Sequence, residues 1–417
     1  VNDLAEHQIS VSDPEIVKCP YEAYEKLREE APVYLDPVTQ FYVLTRYEDV
    51  RKAFSQPNLY LNDDWVQSIQ DEVQIARRKH AHERFTKEGW VPGLSIGMLR
   101  PERHAPVRAI FNNAFRPAKI KEYEPFIRET AYRFARQFAE KGSGDLIAEF
   151  AMPYPLTVIA RLVGIPEDDM DRVKEWTAAW IERFGMMLDD QADDRAVGKE
   201  IEFQHYTKKI IDRLRAEPDG SILSEIINMP TPDGRYLDDQ ELFTHIQADL
   251  LVAGSETTTN TMSAGVMLLC RNPEINAMVR SDPDKYLRVF IEEVLRLESP
   301  VQGLFRVAAE DIELHGVTIP KGALIQLRYG SANRDPEKFG CPAEFDMTRK
   351  ANAHVAFGGG PHSCAGAPFA RAELYWAFKA LFDTIDNVEL LPDNDFEYLQ
   401  SVVHRSLKSL NIRFTKK

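Results

Sequence analysis

The stretch AFGGGPHSCAGAP (356–368) holds one of only four cysteines in 417 residues. A thiolate is a strong metal ligand, provided that its neighbours keep it ionised and protect it from oxidation. Gly358, Gly359, Gly360 and Gly366 let the backbone turn tightly, approach a flat ligand and aim N–H donors at sulfur, while Pro368 suits the first turn of a following helix. Cys364 would then stand just ahead of a helix N-terminus, whose partial positive charge favours the thiolate. The competing reading is a structural free cysteine on a Gly-rich turn. A second constellation is AGSETT (253–258). Glu256 beside Thr257 joins an ionisable group to a hydroxyl, a pair suited to passing protons, and Ala253 and Gly254 leave room against a ligand. A Thr257 hydroxyl bonded back to the carbonyl one turn earlier would bend the helix, a structural role compatible with the chemical one.

Both constellations need helices to hold them. Apolar spacing predicts helices over 117–139, 145–164, 167–184, 195–215, 239–270, 284–298 and 367–383, with short strands near 32–45, 311–327, 386–390 and 410–414. The expected fold class is mainly α with small accessory β-sheets, in a single domain over 1–417 without repeats or linkers. The helix over 239–270 is long enough to cross a domain and carries AGSETT near its middle. EDIELHGVTIPKGALIQL reads as a short antiparallel meander turning at His315-Gly316 and Pro320-Lys321-Gly322.

Composition narrows the function. The chain is 44% hydrophobic, and 51 basic against 66 acidic residues give a net charge of −15. That charge argues against nucleic-acid binding or adhesion to anionic membranes through a general basic field. Cys19, Cys270, Cys341 and Cys364 form no CxxC pair, which fits a reducing compartment. The opening VNDLAEHQIS has no basic-then-apolar leader, and no stretch approaches the roughly 18 to 20 apolar residues that span a bilayer. Neither export nor a membrane anchor is expected, and the location expected is cytoplasmic.

The pattern Phe357-x-x-Gly360-x-His362-x-Cys364-x-Gly366 resembles the haem-binding signature of the cytochrome P450 superfamily, of the soluble bacterial type. The resemblance runs nearly end to end. AGSETT resembles the acid–alcohol pair of the family's distal helix. Glu293-Val294-Leu295-Arg296 resembles its buried ExxR brace, linked to the region of Arg349, although such a pair alone is usually a solvated contact worth under about 1 kcal/mol. The stretch from Asn333 to Arg349 resembles the segment leading into the cysteine loop. The resemblance implies haem b (iron protoporphyrin IX), with Cys364 as the iron ligand and Phe357, Gly358 and Gly366 shaping its loop. It implies His104, Arg108, Arg306 and His362 as propionate partners; taken singly, His104 or His362 would read as a core histidine. It implies Thr257, Glu256 and Gly254 as the catalytic group beside dioxygen.

The chain shows no iron–sulfur cysteine cluster and no convincing dinucleotide-binding glycine motif. Electrons are therefore expected ultimately from NAD(P)H through separate redox proteins, a ferredoxin-type donor and its reductase. Between Arg100 and Lys121 six basic residues (Arg100, Arg103, Arg108, Arg116, Lys119 and Lys121) face one acid, Glu102, a local balance of six minus one, or +5. This is either a docking face for an acidic ferredoxin or an ordinary solvated basic segment. By resemblance, Trp90, Val91, Leu94, Met187, Leu250, Ala253, Val301, Leu304 and Val402 fall in the family's variable pocket walls. Their apolar character points to a hydrophobic small molecule such as a terpenoid, an aromatic hydrocarbon or a steroid-like compound, while residues of this type at helical spacing also build cores. The region 62–98 reads as a lid or as a solvated insertion. The function expected is a haem-thiolate monooxygenase inserting one oxygen atom from O2. Its rivals are a peroxide-driven peroxygenase and a haem-containing ligand-binding or sensor protein, which would need neither Glu256 nor Thr257.

Overall fold

Apolar residues at helical spacing become helices nearly where the pattern places them. The computed structural model, which describes residues 9–63, 65–69, 71–185, 188–349 and 353–417, has helices Pro117–Ala139, Met170–Phe184, Asp190–Ala216, Pro283–Glu298 and Ala367–Thr384. Two predicted helices divide. The 145–164 segment begins as a strand and a π-turn, Ile147–Ala151, before helix Pro153–Val163. The 239–270 segment forms helix Asp239–Thr244, a π-helical stretch His245–Val252 and helix Ala253–Arg271. Helices Tyr47–Ser55, Glu72–Glu88 and Pro101–Ala114 also form, where the apolar pattern gave no clear helix. Among the described residues no helix is long and apolar enough to cross a membrane.

The residues group into two compact units. The first comprises Val1–Leu61, Glu124–Pro155 and Glu256–Lys417 and holds the strands β1 (Val33–Leu35), β2 (Tyr42–Leu44), β3 (Tyr60–Leu61), β4 (Ser143–Asp145), β5 (Leu304–Ala308), β6 (Ile312–Leu314), β7 (Val317–Ile319), β8 (Leu324–Leu327), β9 (Ile385–Leu390) and β10 (Asn411–Lys416). They form a five-stranded sheet in the order β1-β2-β8-β5-β3, a three-stranded sheet β4-β10-β9 and the hairpin β6-β7. The hairpin turns at His315 and Gly316, both with positive φ (51° and 77°), as the sequence predicts, but the predicted meander ends there, because β8 pairs with β2 and β5 rather than with β7. Alternate residues of the five-stranded sheet join one buried cluster with Tyr47, Val50, Phe54, Tyr329 and Val355. Three of these, Phe54, Tyr329 and Val355, reach the cysteine loop.

The second unit comprises Asn62–Tyr123 and Leu156–Ser255. Here the 62–98 region includes helix Glu72–Glu88, capped by the Asp71 carboxylate on the Gln74 N–H. Ala81 and Phe85 bury against Val197 and Ile201 of helix Asp190–Ala216. Arg77 pairs with Asp190, and His80 and Arg84 both reach Asp194. Helix Glu72–Glu88 thus packs on its neighbour through Ala81 and Phe85 and leaves most of its surface to solvent.

Candidate active site

The cysteine loop is built by two glycines, an aromatic ring and one carboxylate. Gly358 and Gly360 adopt φ of 67° and 63°, the left-handed region that glycine enters without penalty. At Gly360 a Cβ would also run into the Phe54 carbonyl. The loop closes with the Cys364 N–H donating to the Phe357 carbonyl at 2.9 Å. Gly366 is the N-cap of helix Ala367–Thr384, with Pro368 in its first turn. Cys364 is exposed, two residues ahead of that cap, where the helix dipole favours an anion. Glu292 clips the two flanks together: it accepts from Arg371 Nε and Nη2 at 2.6 and 2.9 Å and lies 3.0 Å from His354 Nε2. Burial pushes the Glu292 carboxyl up, but Arg371 and His354 outweigh it and bring it down to about 2. The Arg371 guanidinium in turn covers the Phe357 ring at 4.5 Å.

Arg306, on β5, is only 5% exposed. Among the described residues no carboxylate pairs with it; it donates to its own neighbour's carbonyl, Phe305, at 2.7 Å, and burial lowers its pKa. Its guanidinium lies 6.0 Å from the Phe54 ring, and Phe54 packs against Tyr329 with ring centroids 5.6 Å apart. A buried cation without a carboxylate, one aromatic ring away from Gly359 and Gly360 of the cysteine loop, fits a planar cofactor bearing acidic side chains. Haem is such a group. Phe54 and Tyr329 are site-shaping residues that the sequence reading missed, because their only signal is the fold that brings them to the loop. His362 is partly buried in the 3-10 turn Gly360–His362.

His104 and Arg108 belong to the second unit and share one face of helix Pro101–Ala114. Burial, aided by Arg108, pushes the His104 imidazole down to about 4.

Glu256 and Thr257 sit in the first turn and a half of helix Ala253–Arg271. Residues 245–252 and 258–263 are buried almost without break, whereas Ala253 is exposed and Gly254, Glu256 and Thr257 are partly so. One window of an otherwise buried helix thus faces accessible space, and it follows directly on a π-stretch, a widening that shifts the register of the residues after it. The side of Gly254 where a Cβ would stand meets Ile159 at 2.7 Å, so its smallness also admits a neighbouring helix. Glu256 is held from the C-terminal segment: Ser406 Oγ donates to its Oε1 at 2.7 Å.

The ExxR pair is fully buried and bidentate. Arg296 Nε and Nη2 reach Glu293 at 2.8 and 2.7 Å, and Arg296 also donates to the carbonyls of Asn333, Pro342 and Glu344. Glu293 accepts from the Asp346 N–H and Arg349 Nε at 3.0 and 3.3 Å. The pair therefore fixes the segment leading to the cysteine loop.

The residues expected in the pocket walls are shared between the two units. Trp90 is gripped by Gln204 through both its N–H and its carbonyl, and its ring lies 4.9 Å from Phe243. Val91 packs on the Ala81–Phe85 cluster, Leu94 is partly buried, and Leu250 is buried in the π-stretch. Val301 bridges His404, Leu304 lies on β5, and buried Val402 turns its carbonyl to Gln326 and Arg328. Met187 lies outside the described residues. The basic segment is largely neutralised: Arg100 pairs with Asp63, Arg103 with Glu241, Arg116 with Glu225, and Lys119 with Glu122 and Glu225. The count of +5 overstates the field that a partner would meet.

A cytochrome P450 family model matches residues 39–397. Cytochrome P450 107B1 of Saccharopolyspora erythraea is 34% identical over 397 residues, covering 94% of each chain. Vitamin D(3) 25-hydroxylase of Pseudonocardia autotrophica is 33% identical over 399 residues, covering 94% of this chain and 93% of the relative. The solved structure of CYP109E1 from Bacillus megaterium in complex with testosterone superposes with a TM-score of 0.81 at 29% identity, over 94% of this chain and 99% of that one. The chain belongs to the cytochrome P450 family. Its activity is that of a P450 monooxygenase, an oxidoreductase that uses haem iron, O2 and redox partners.

Proposed function

We propose that this monooxygenase acts in the cytoplasm on a hydrophobic small molecule of terpenoid, aromatic or steroid-like build, with electrons from NAD(P)H passed through a reductase and a ferredoxin-type donor. Two similarities support the substrate class: one relative is named for 25-hydroxylation of vitamin D(3), and one structural neighbour was solved with testosterone. The apolar side chains of Trp90, Val91, Leu94 and Val301 are suited to such a molecule.

Bound haem supplies the activation of dioxygen and the transfer of one oxygen atom. Cys364 would hold the iron as a thiolate, favoured by the helix start behind it. Arg306, His362, His104 and Arg108 would take the propionates, Arg306 gaining the anion that its burial calls for. Phe357, Gly358 and Gly366 keep the loop narrow around the sulfur. Glu256 and Thr257 handle the protons that the reaction consumes: the carboxyl gives and regains a proton, and the hydroxyl accepts one while donating another. Gly254 keeps the helix close to Ile159, so that the window stays in place.

The observation that carries this reading is the accessible window formed by Ala253, Gly254, Glu256 and Thr257, chemically an acid beside an alcohol. The test is a spin-state titration against a panel of hydrophobic compounds, followed by product analysis of the best responder with reductant and donor. A hydroxylated product that depends on reductant is expected. Product with peroxide alone would establish the peroxygenase, and binding without product the sensor.

A further inference from the structure

We propose that Ser406 is a positioning residue for Glu256 and decides which of its carboxyl oxygens carries the proton. The proposal rests on the reading of Glu256 as the proton-handling acid.

Glu256 and Asn260 stand one turn apart on helix Ala253–Arg271. Asn260 Nδ2 donates to Ser406 Oγ at 2.8 Å and to Glu256 Oε1 at 3.3 Å, and Ser406 Oγ donates to Glu256 Oε1 at 2.7 Å. A hydroxyl has one hydrogen. With its oxygen taken by the Asn260 amide, Ser406 commits that hydrogen to Glu256. Reversing the amide would set its carbonyl oxygen against the Glu256 oxygen at 3.3 Å, so with Glu256 ionised the amide donates and the hydroxyl hydrogen goes to Glu256. Oε1 thus receives two donors, and a proton bound by the carboxyl resides on Oε2. Ser406 makes Oε2 the oxygen that delivers and regains protons.

The hydroxyl is fixed independently of the helix. Ser406 is 2% exposed, and its segment is tied on both sides: His404 bridges Val301 and Leu407 bridges Tyr398. The Gln302 N–H donates to the Val403 carbonyl at 2.7 Å, and the Arg405 N–H to that of Pro300 at 3.0 Å. Arg405 Nε also reaches Glu298 at 3.2 Å. The carboxyl is therefore oriented by the C-terminal segment of the first unit. His404, from the same buried segment, supplies a reporter: burial lowers its imidazole pKa, and the charge of Glu256 pulls it back up.

The test uses the haem-loaded enzyme with Ser406→Ala, Ser406→Thr, Glu256→Gln and the Ser406→Ala/Glu256→Gln double variant. Ser406→Ala should keep haem content and the substrate-induced spin change while coupled turnover falls about tenfold. Ser406→Thr should restore it, and the double variant should be no worse than Glu256→Gln. Ring nitrogens of 15N-labelled histidine give a readout apart from activity. His404 should titrate at lower pH in Glu256→Gln, which removes the charge, shift the same way by less in Ser406→Ala, where the carboxyl loses its fixed place, and titrate as in the parent in Ser406→Thr. If Ser406→Ala does not take up haem, Asn260→Ala breaks the same chain at its other end and serves in its place. Parental coupling and parental His404 titration in Ser406→Ala, with coupling lost in Glu256→Gln, would overturn the role of Ser406 alone. Parental coupling in Glu256→Gln would overturn the reading of Glu256 itself.

Discussion

Arg306 poses the sharpest electrostatic problem in the chain, a guanidinium sealed beside the cysteine loop without a carboxylate among the described residues. Burying an uncompensated charge is costly, and a bound anion would offset the cost. Arg306→Leu should therefore have opposite effects on the two forms. Apoprotein stability in urea should hold or rise, whereas haem should leave the variant at least about tenfold faster in transfer to a scavenger protein. Equal transfer rates would remove Arg306 from the haem site. Thr257→Ala should leave haem binding intact and divert electrons to peroxide, so that product per NAD(P)H falls. Equal coupling in variant and parent would remove Thr257 from the proton path. Residues of this kind are legible in sequence when their chemistry needs neighbours in the chain, as Glu256 needs Thr257 and Cys364 needs its glycines. Phe54, Tyr329 and Ser406 were not legible, because each meets the site across scores of residues and carries no local signature.

The elements that flank the cysteine are held by paired charges rather than by apolar burial alone. Breaking a buried pair strands the partner, so Arg296→Met should cost about 3–5 kcal/mol, read as a lower denaturation midpoint. The Glu292 clip gives a pH dependence whose sign is fixed. Its folded carboxyl lies near 2 against an ordinary 4.5, so the unfolded chain takes up the proton first as pH falls. The clip's contribution is complete above about 4.5 and disappears progressively towards 2. Urea midpoints across that range should decline less steeply for Glu292→Gln, which starts from a lower value at neutral pH; parallel curves would contradict the clip. At this scale most of the helices that the sequence predicted lie within a few residues of the observed bounds, since a buried face imposes its period directly. It missed the π-stretch His245–Val252 because an apolar run on all sides reads the same whether the turn holds one residue more or fewer. It also missed helix Glu72–Glu88, whose residues Arg77 and Arg84 pair with Asp190 and Asp194 of a distant helix.

For the whole molecule, charge counted along the chain differs from charge presented to a partner. The segment 100–121 sums to +5 in sequence, but Asp63, Glu225 and Glu241, distant in the chain, cancel much of it. Lys121 is exposed without a carboxylate partner among the described residues, so Lys121→Glu should raise the KM for a ferredoxin donor roughly threefold at low salt and less at high salt. An unchanged KM would place docking elsewhere. The family was legible because its chemistry concentrates in short motifs distributed over the full length. Substrate was not, since selectivity arises from apolar side chains that look alike whether they line a pocket or fill a core. All of the proposed chemistry depends on sulfur bound to iron at residue 364. The most direct measurement is the absorption spectrum of the reduced carbon monoxide complex for the parent and for Cys364→Ser. The parent should show the red-shifted Soret band of thiolate ligation, and the variant should lack it. A variant that keeps the band would contradict the assignment.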